Sequence, residues 1–93
     1  MIKGITQKEY QIILEILQKY PAEFYLYGSR VKGDFDELSD LDILIKSKNC
    51  NNFINKLKED FDNSSLPYIV NFTDYQNIDK NFYDLIKNDL VKI

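Results

Sequence analysis

The string Leu26-Tyr27-Gly28-Ser29-Arg30-Val31-Lys32-Gly33-Asp34, followed after a short polar stretch by Ser39-Asp40-Leu41-Asp42-Ile43, decides how the rest of the chain is read. Phe24-Tyr25-Leu26-Tyr27 is a β-prone run that stops at a glycine, which reads as a buried strand ending in a turn. Residues 29–34 read as one helical turn closed by Gly33, and Asp34 to Ser39 as a polar loop. From Asp40 to Lys46 the chain alternates, with Leu41, Ile43 and Ile45 on one face and Asp40, Asp42 and Leu44 on the other. The spacing of Asp40 and Asp42 puts both carboxylates on one face of a strand, where like charges repel unless something compensates them. A divalent cation does so naturally, and oxygen-only ligands favour magnesium or manganese over zinc. In isolation such a pair is ordinarily an exposed turn, because short motifs match by chance.

Gly28-Ser29 changes the weight of that pair. A glycine at a strand end, followed by a small hydroxyl residue opening a helical turn, presents backbone N–H groups at an open edge suited to phosphate. Arg30 and Lys32 add positive charge beside it.

Gly28-Ser29, ten intervening residues and Asp40-x-Asp42 together resemble the signature of the polymerase-β nucleotidyltransferase superfamily. The wider string looks like its minimal nucleotidyltransferase (MNT) branch, whose members commonly pair with a helical HEPN protein as toxin and antitoxin. The resemblance implies a polymerase-β-like fold and a protein that attaches a nucleotide, AMP from ATP, to a hydroxyl on a HEPN toxin partner. It further implies that Gly28 and Ser29 hold the triphosphate, with Arg30 and Lys32 assisting, and that Asp40 and Asp42 coordinate one or two Mg2+ ions. Such chemistry depends on positioning and charge neutralisation more than on covalent help.

The chain departs from that pattern at one position. The family segment resembles Leu-Pro-Tyr-x-Val-Asp-x-x-Asp, whereas here it reads Leu66-Pro67-Tyr68-Ile69-Val70-Asn71-Phe72-Thr73-Asp74. Asn71 thus stands where the resemblance implies a third catalytic carboxylate. An amide oxygen can ligate a metal but cannot take a proton from the acceptor, and loss of a general base slows a reaction by roughly 10² to 10⁴. Asp74, three residues on, falls on the opposite face by alternation and reads as the start of the next turn. The alternative function is therefore a weak or silent homologue that neutralises or scaffolds a HEPN partner by binding.

Around this centre, Thr6-Gln7-Lys8-Glu9 has capping-box form, with Ile5 and Tyr10 spaced as a hydrophobic staple. Tyr10, Ile13, Leu14, Leu17 and Tyr20 then predict a helix over 7–19, ended by Pro21. A second helix is predicted at 51–62, a third strand at 67–73, a last helix at 79–88 and a terminal edge strand at 90–93. The order predicts an α/β (α+β) domain, residues 1–93, with a small mixed sheet and helices mainly on one face.

Composition narrows the chemistry. Histidine is absent and Cys50 is the sole cysteine, which removes His-based triads, His-ligated zinc and intramolecular disulfides. A net charge of −3 argues against unaided grip on a long nucleic acid and favours a small or protein acceptor. No apolar run approaches a membrane span, so a cytoplasmic location is expected; a homo-oligomer is compatible with the chain. Most of the seven tyrosines and six phenylalanines fall at helix-face or strand positions suited to a core. Asp34, Asp36 and Glu37 read as a solvated acidic loop.

Overall fold

In the computed structural model, which describes residues 4–37 and 39–93, four strands form one mixed sheet. Leu38, in the polar loop, and Met1 to Lys3 lie outside the described residues. The elements run α1 (Gln7–Leu17), β1 (Glu23–Tyr27), α2 (Ser29–Lys32), β2 (Leu41–Lys46), α3 (Ile54–Asp62), β3 (Val70–Asp74), α4 (Lys80–Ile86) and β4 (Val91–Lys92). Short 3-10 turns at Cys50–Asn52, Tyr75–Asn77 and Lys87–Asp89 join them. The strand order is β3-β2-β1-β4, with β2 and β3 parallel and both other pairs antiparallel.

Local chemistry sets these elements. The capping box forms reciprocally: the Glu9 backbone N–H donates to Thr6 Oγ1 and the Thr6 N–H to Glu9 Oε1, both at 3.1 Å. These bonds satisfy donors that the first helical turn would leave unpaired. Ile13, Ile16 and Leu17 of α1 and Leu57 and Phe61 of α3 bury one apolar stripe each against the sheet. They meet Phe24, Leu26, Leu41, Ile43 and Ile45 there, and each such buried side chain contributes about 1.5–3 kcal/mol.

The boundaries differ from the predicted ones where turn chemistry intervenes. Helix α1 ends at Leu17, because residues 18–20 tighten into turns before Pro21. Helix α3 begins at Ile54, since the Phe53 N–H closes a 3-10 turn on the Cys50 carbonyl. The last helix is shorter as well, giving way to a 3-10 turn at Lys87. Strand β3 starts at Val70 rather than Pro67, and Tyr68 is buried outside the ladder.

The register separates two surfaces. Directly paired residues share a face, so Tyr27, Asp42 and Asn71 line up on the side opposite Leu26, Ile43 and Phe72. Helices α1 and α3 cover the second set. Helix α4 approaches the first set through Phe82, whose ring stands edge-on to Tyr27 at 6.1 Å between centroids.

Candidate nucleotidyl-transfer site

Strand β1 ends by delivering Gly28 in a left-handed conformation, φ 90°, just before α2. That conformation favours glycine, and space demands it too: a Cβ at Gly28 would overlap a carboxylate oxygen of Asp42. The Gly28-Ser29 turn and the Asp42 carboxylate are therefore in intimate contact. Asp42 is paired with Tyr27 on one side and with Asn71 on the other, which fixes it at the centre of its face.

Asp40 precedes β2, and its carboxylate converges with that of Asp42. The Asn71 Nδ2 donates to Asp40 Oδ2 at 2.9 Å and to Asp42 Oδ1 at 3.4 Å. Burial pushes the Asp42 carboxyl above the usual carboxylate range; the Asn71 hydrogen bond opposes this, and the Asp40 charge adds to it. Neither Asp40 nor Asp42 has a Lys or Arg ion-pair partner among the described residues. Two converging carboxylates without a cation, flanked by an amide whose oxygen can also ligate, fit a hard divalent ion with oxygen ligands. Among the described residues no group of three or more His, Cys, Asp or Glu side chains is placed to hold a metal ion.

A cleft of about 640 Å³ opens beside this group. Gly28, Ser29, Lys32, Asp34 and Asp42 line one side, and Tyr27, Phe82, Leu85, Ile86 and Asp89 complete it. Lys32 Nζ lies 3.6 Å from Asp89 Oδ2. The Tyr27 hydroxyl bonds Thr73 Oγ1 at 2.8 Å, locking the ring over the neighbouring strands. Burial drives its pKa upward, against the Thr73 hydrogen bond and with the Asp42 charge.

The structure departs from the sequence expectation at Arg30 and shows where Asp74 goes. Arg30 does not join Lys32 in the cleft: it is 4% exposed, and its guanidinium donates to the backbone carbonyls of Gly4, Glu37 and Ser39. A cation committed to these carbonyls and to that of Asp36, and stacked on Tyr68, has no face left for a phosphate. Asp74 pairs with Ile45 on the opposite face from Asn71, and its carboxylate caps the next turn through Gln76 and Asn77. It supplies no third carboxylate to the site.

The cleft walls from α4 and the 3-10 turn after it carry no sequence signal. Phe82, Leu85 and Asp89 carry no local motif, and their role follows only from where the last helix packs.

A mixed four-stranded sheet with a Gly-Ser turn at the end of β1 and two carboxylates at the start of β2 defines the polymerase-β-like nucleotidyltransferase class. The chain matches the nucleotidyltransferase domain family over residues 10–93. It is also similar to the probable protein adenylyltransferase MntA of Haemophilus influenzae, with 34% identity over 93 residues covering 96% of this chain and 82% of that protein. The chain belongs to the nucleotidyltransferase domain family and is a minimal nucleotidyltransferase. Among the described residues no helix is long and apolar enough to cross a membrane.

Proposed function

We propose that this chain transfers AMP from ATP to a hydroxyl, a tyrosine hydroxyl on a helical HEPN-family partner, and thereby acts as the antitoxin of a toxin pair. The observation that carries the transfer reading is the seating of the Asp42 carboxylate against the Cβ-less Gly28. It brings a phosphate-suited turn and Asp42 to one cleft wall, with Asp40 tied to Asp42 through the shared Asn71 amide. Similarity to a relative described as a probable protein adenylyltransferase supports AMP and a protein acceptor.

In this reading Ser29 and the backbone N–H groups of its turn hold phosphate oxygens, and Lys32 adds charge from the cleft side. Lys32 must then exchange its Asp89 partner for phosphate. Asp40 and Asp42 would hold Mg2+, joined by the Asn71 oxygen once the amide turns from the nitrogen that now donates to both, and the ion when bound neutralises the charge developing on the transferred group. The acceptor oxygen forms a bond to the α-phosphorus as the bond to the bridging oxygen breaks, and pyrophosphate leaves. Of the three facing side chains only Asp40 and Asp42 can accept the hydroxyl proton, since Asn71 is neutral.

The amide at position 71 favours a second reading, in which the chain binds its partner with little or no turnover. Labelled ATP, magnesium and the purified HEPN-family protein distinguish the two. Label on the partner that vanishes in Asp42→Ala and rises in Asn71→Asp supports transfer. Absence of label with wild type, alongside strong label with Asn71→Asp, establishes the silent homologue. Toxin inhibition that survives Asp40→Ala places neutralisation in binding alone.

A further inference from the structure

We propose that Arg30 is a positioning residue for the transfer site, holding Asp40 in place from behind the cleft; this rests on the reading of Asp40 as part of that site. The residue follows the phosphate-suited turn, yet its side chain runs into the protein. Its Nε donates to the Ser39 carbonyl at 2.6 Å, and its Nη2 to the carbonyls of Glu37 at 2.7 Å and Asp36 at 3.4 Å. Those three carbonyls belong to the loop that ends at Asp40. A loop cannot place a carboxylate unless its own backbone is fixed, and a planar five-donor fork fixes several carbonyls at once.

The same guanidinium reaches two further segments. Its Nη1 donates to the Gly4 carbonyl at 2.6 Å. The N-terminal segment passes so closely that a Cβ on Gly4 would lie 2.6 Å from the Arg30 carbonyl oxygen. The guanidinium carbon sits 3.8 Å from the centroid of Tyr68, three residues before Asn71. Tyr68 is anchored in turn, its hydroxyl donating to Glu9 Oε1 at 3.1 Å. One cation thus joins the turn bearing Ser29, the loop bearing Asp40 and the segment leading to Asn71.

No carboxylate forms an ion pair with Arg30 among the described residues. A buried charge held by carbonyls and an aromatic face is costly to place, and disturbing its partners leaves it unsatisfied. Lysine keeps the charge but has a point donor and no plane to stack, so Arg30→Lys isolates the contribution of the fork.

The Asn71 side-chain amide is a built-in reporter, because it donates directly to Asp40. Its proton and nitrogen resonances in metal-free protein should move in Arg30→Lys at least half of the way toward those of Asp40→Ala. Leu57→Ala, a core substitution remote from the loop, should lower the melting temperature and leave those resonances where they are in wild type. Mn2+ affinity, measured without nucleotide, should fall about tenfold or more in Arg30→Lys, as for other residues that orient metal ligands. Wild-type Asn71 resonances in Arg30→Lys overturn the proposal, as does an equal displacement in Leu57→Ala. Should Arg30→Lys fail to fold, Tyr68→Leu, which removes the stacking ring, carries the same test: displaced Asn71 resonances support the proposal and unmoved ones overturn it. A moved Asn71 signal in a protein whose wild type binds no Mn2+ upholds the positioning role and removes the metal reading instead.

Discussion

The two faces of the sheet are built on opposite terms. On one, α1 and α3 seal Leu26, Leu41, Ile43 and Ile45 to complete burial. On the other, α4 has no buried residue, and Leu85 is 76% exposed beside a cleft holding Asp42. The first face carries most of the apolar burial that stabilises a small chain, with Leu44 and Tyr27 buried on the second. The second leaves open surface and places two carboxylates together, an arrangement that costs stability and suits binding. Adjacent residues of β2 serve different ends: Ile43 holds the fold, while Asp42 beside it belongs to the cleft.

The comparison breaks first if substitutions fail to sort by face. Ile43→Ala should cost about 2–5 kcal/mol in urea unfolding, as for other fully buried aliphatic truncations. Transfer per folded molecule should be unchanged in that variant, and a large fall in it would show that the two faces are not separable. Gly28→Ala strains a left-handed backbone and drives a methyl into Asp42, so it should cost roughly 1–3 kcal/mol. Labelling should be lost there even at temperatures where circular dichroism shows a folded chain.

A smaller effect sharpens the contrast by reversing its sign. Asp42→Asn removes a partly buried charge set against Asp40, so its melting temperature at neutral pH should exceed that of wild type although transfer is lost. The pH dependence follows from the raised carboxyl pKa. The Asp42 contribution to wild-type stability is fully present below the unfolded value of about 3.9 and is lost as pH rises through the higher folded value. The advantage of Asp42→Asn should thus be absent near pH 3 and grow across that window. A melting temperature for Asp42→Asn below wild type at pH 7 would mean that the charge is compensated in the folded chain. Smallest of all, Leu85→Ala should change stability by no more than about 0.5 kcal/mol, because its side chain is already in water. A larger loss would mean that α4 seals its face after all.

How much of this could be read from the chain depends on the range of the interactions. Strand β2 was legible because its alternation is local, and the helix start at Thr6 because a capping box spans four residues. Gly28, Asp42 and Asn71 were legible as a group through the family pattern, and Asp74 as the start of a turn through alternation. Arg30 was misread because a basic residue next to a phosphate-suited turn looks like a phosphate contact. Its actual partners, Gly4 and Tyr68, lie 26 residues before it and in a segment well after it, and no local pattern announces them. Tyr68 misled for the same reason: Pro67-Tyr68-Ile69 has strand composition, but the ring is drawn under the guanidinium and the ladder starts later. The α4 side of the cleft was illegible because it depends on the docking of a helix that buries none of its own residues.

The contact between Gly28 and Asp42 also bears on how sequences of this kind can drift. Any side chain at position 28 collides with the carboxylate at 42, so the first barrier to change there is set by a residue fourteen positions away. Shortening position 42 would lift that barrier, yet the left-handed backbone at 28 would still penalise every replacement except glycine. The two positions are therefore ratcheted in one order. A change at 42 leaves the backbone demand for glycine at 28 in place, whereas a change at 28 disturbs the carboxylate in the same step.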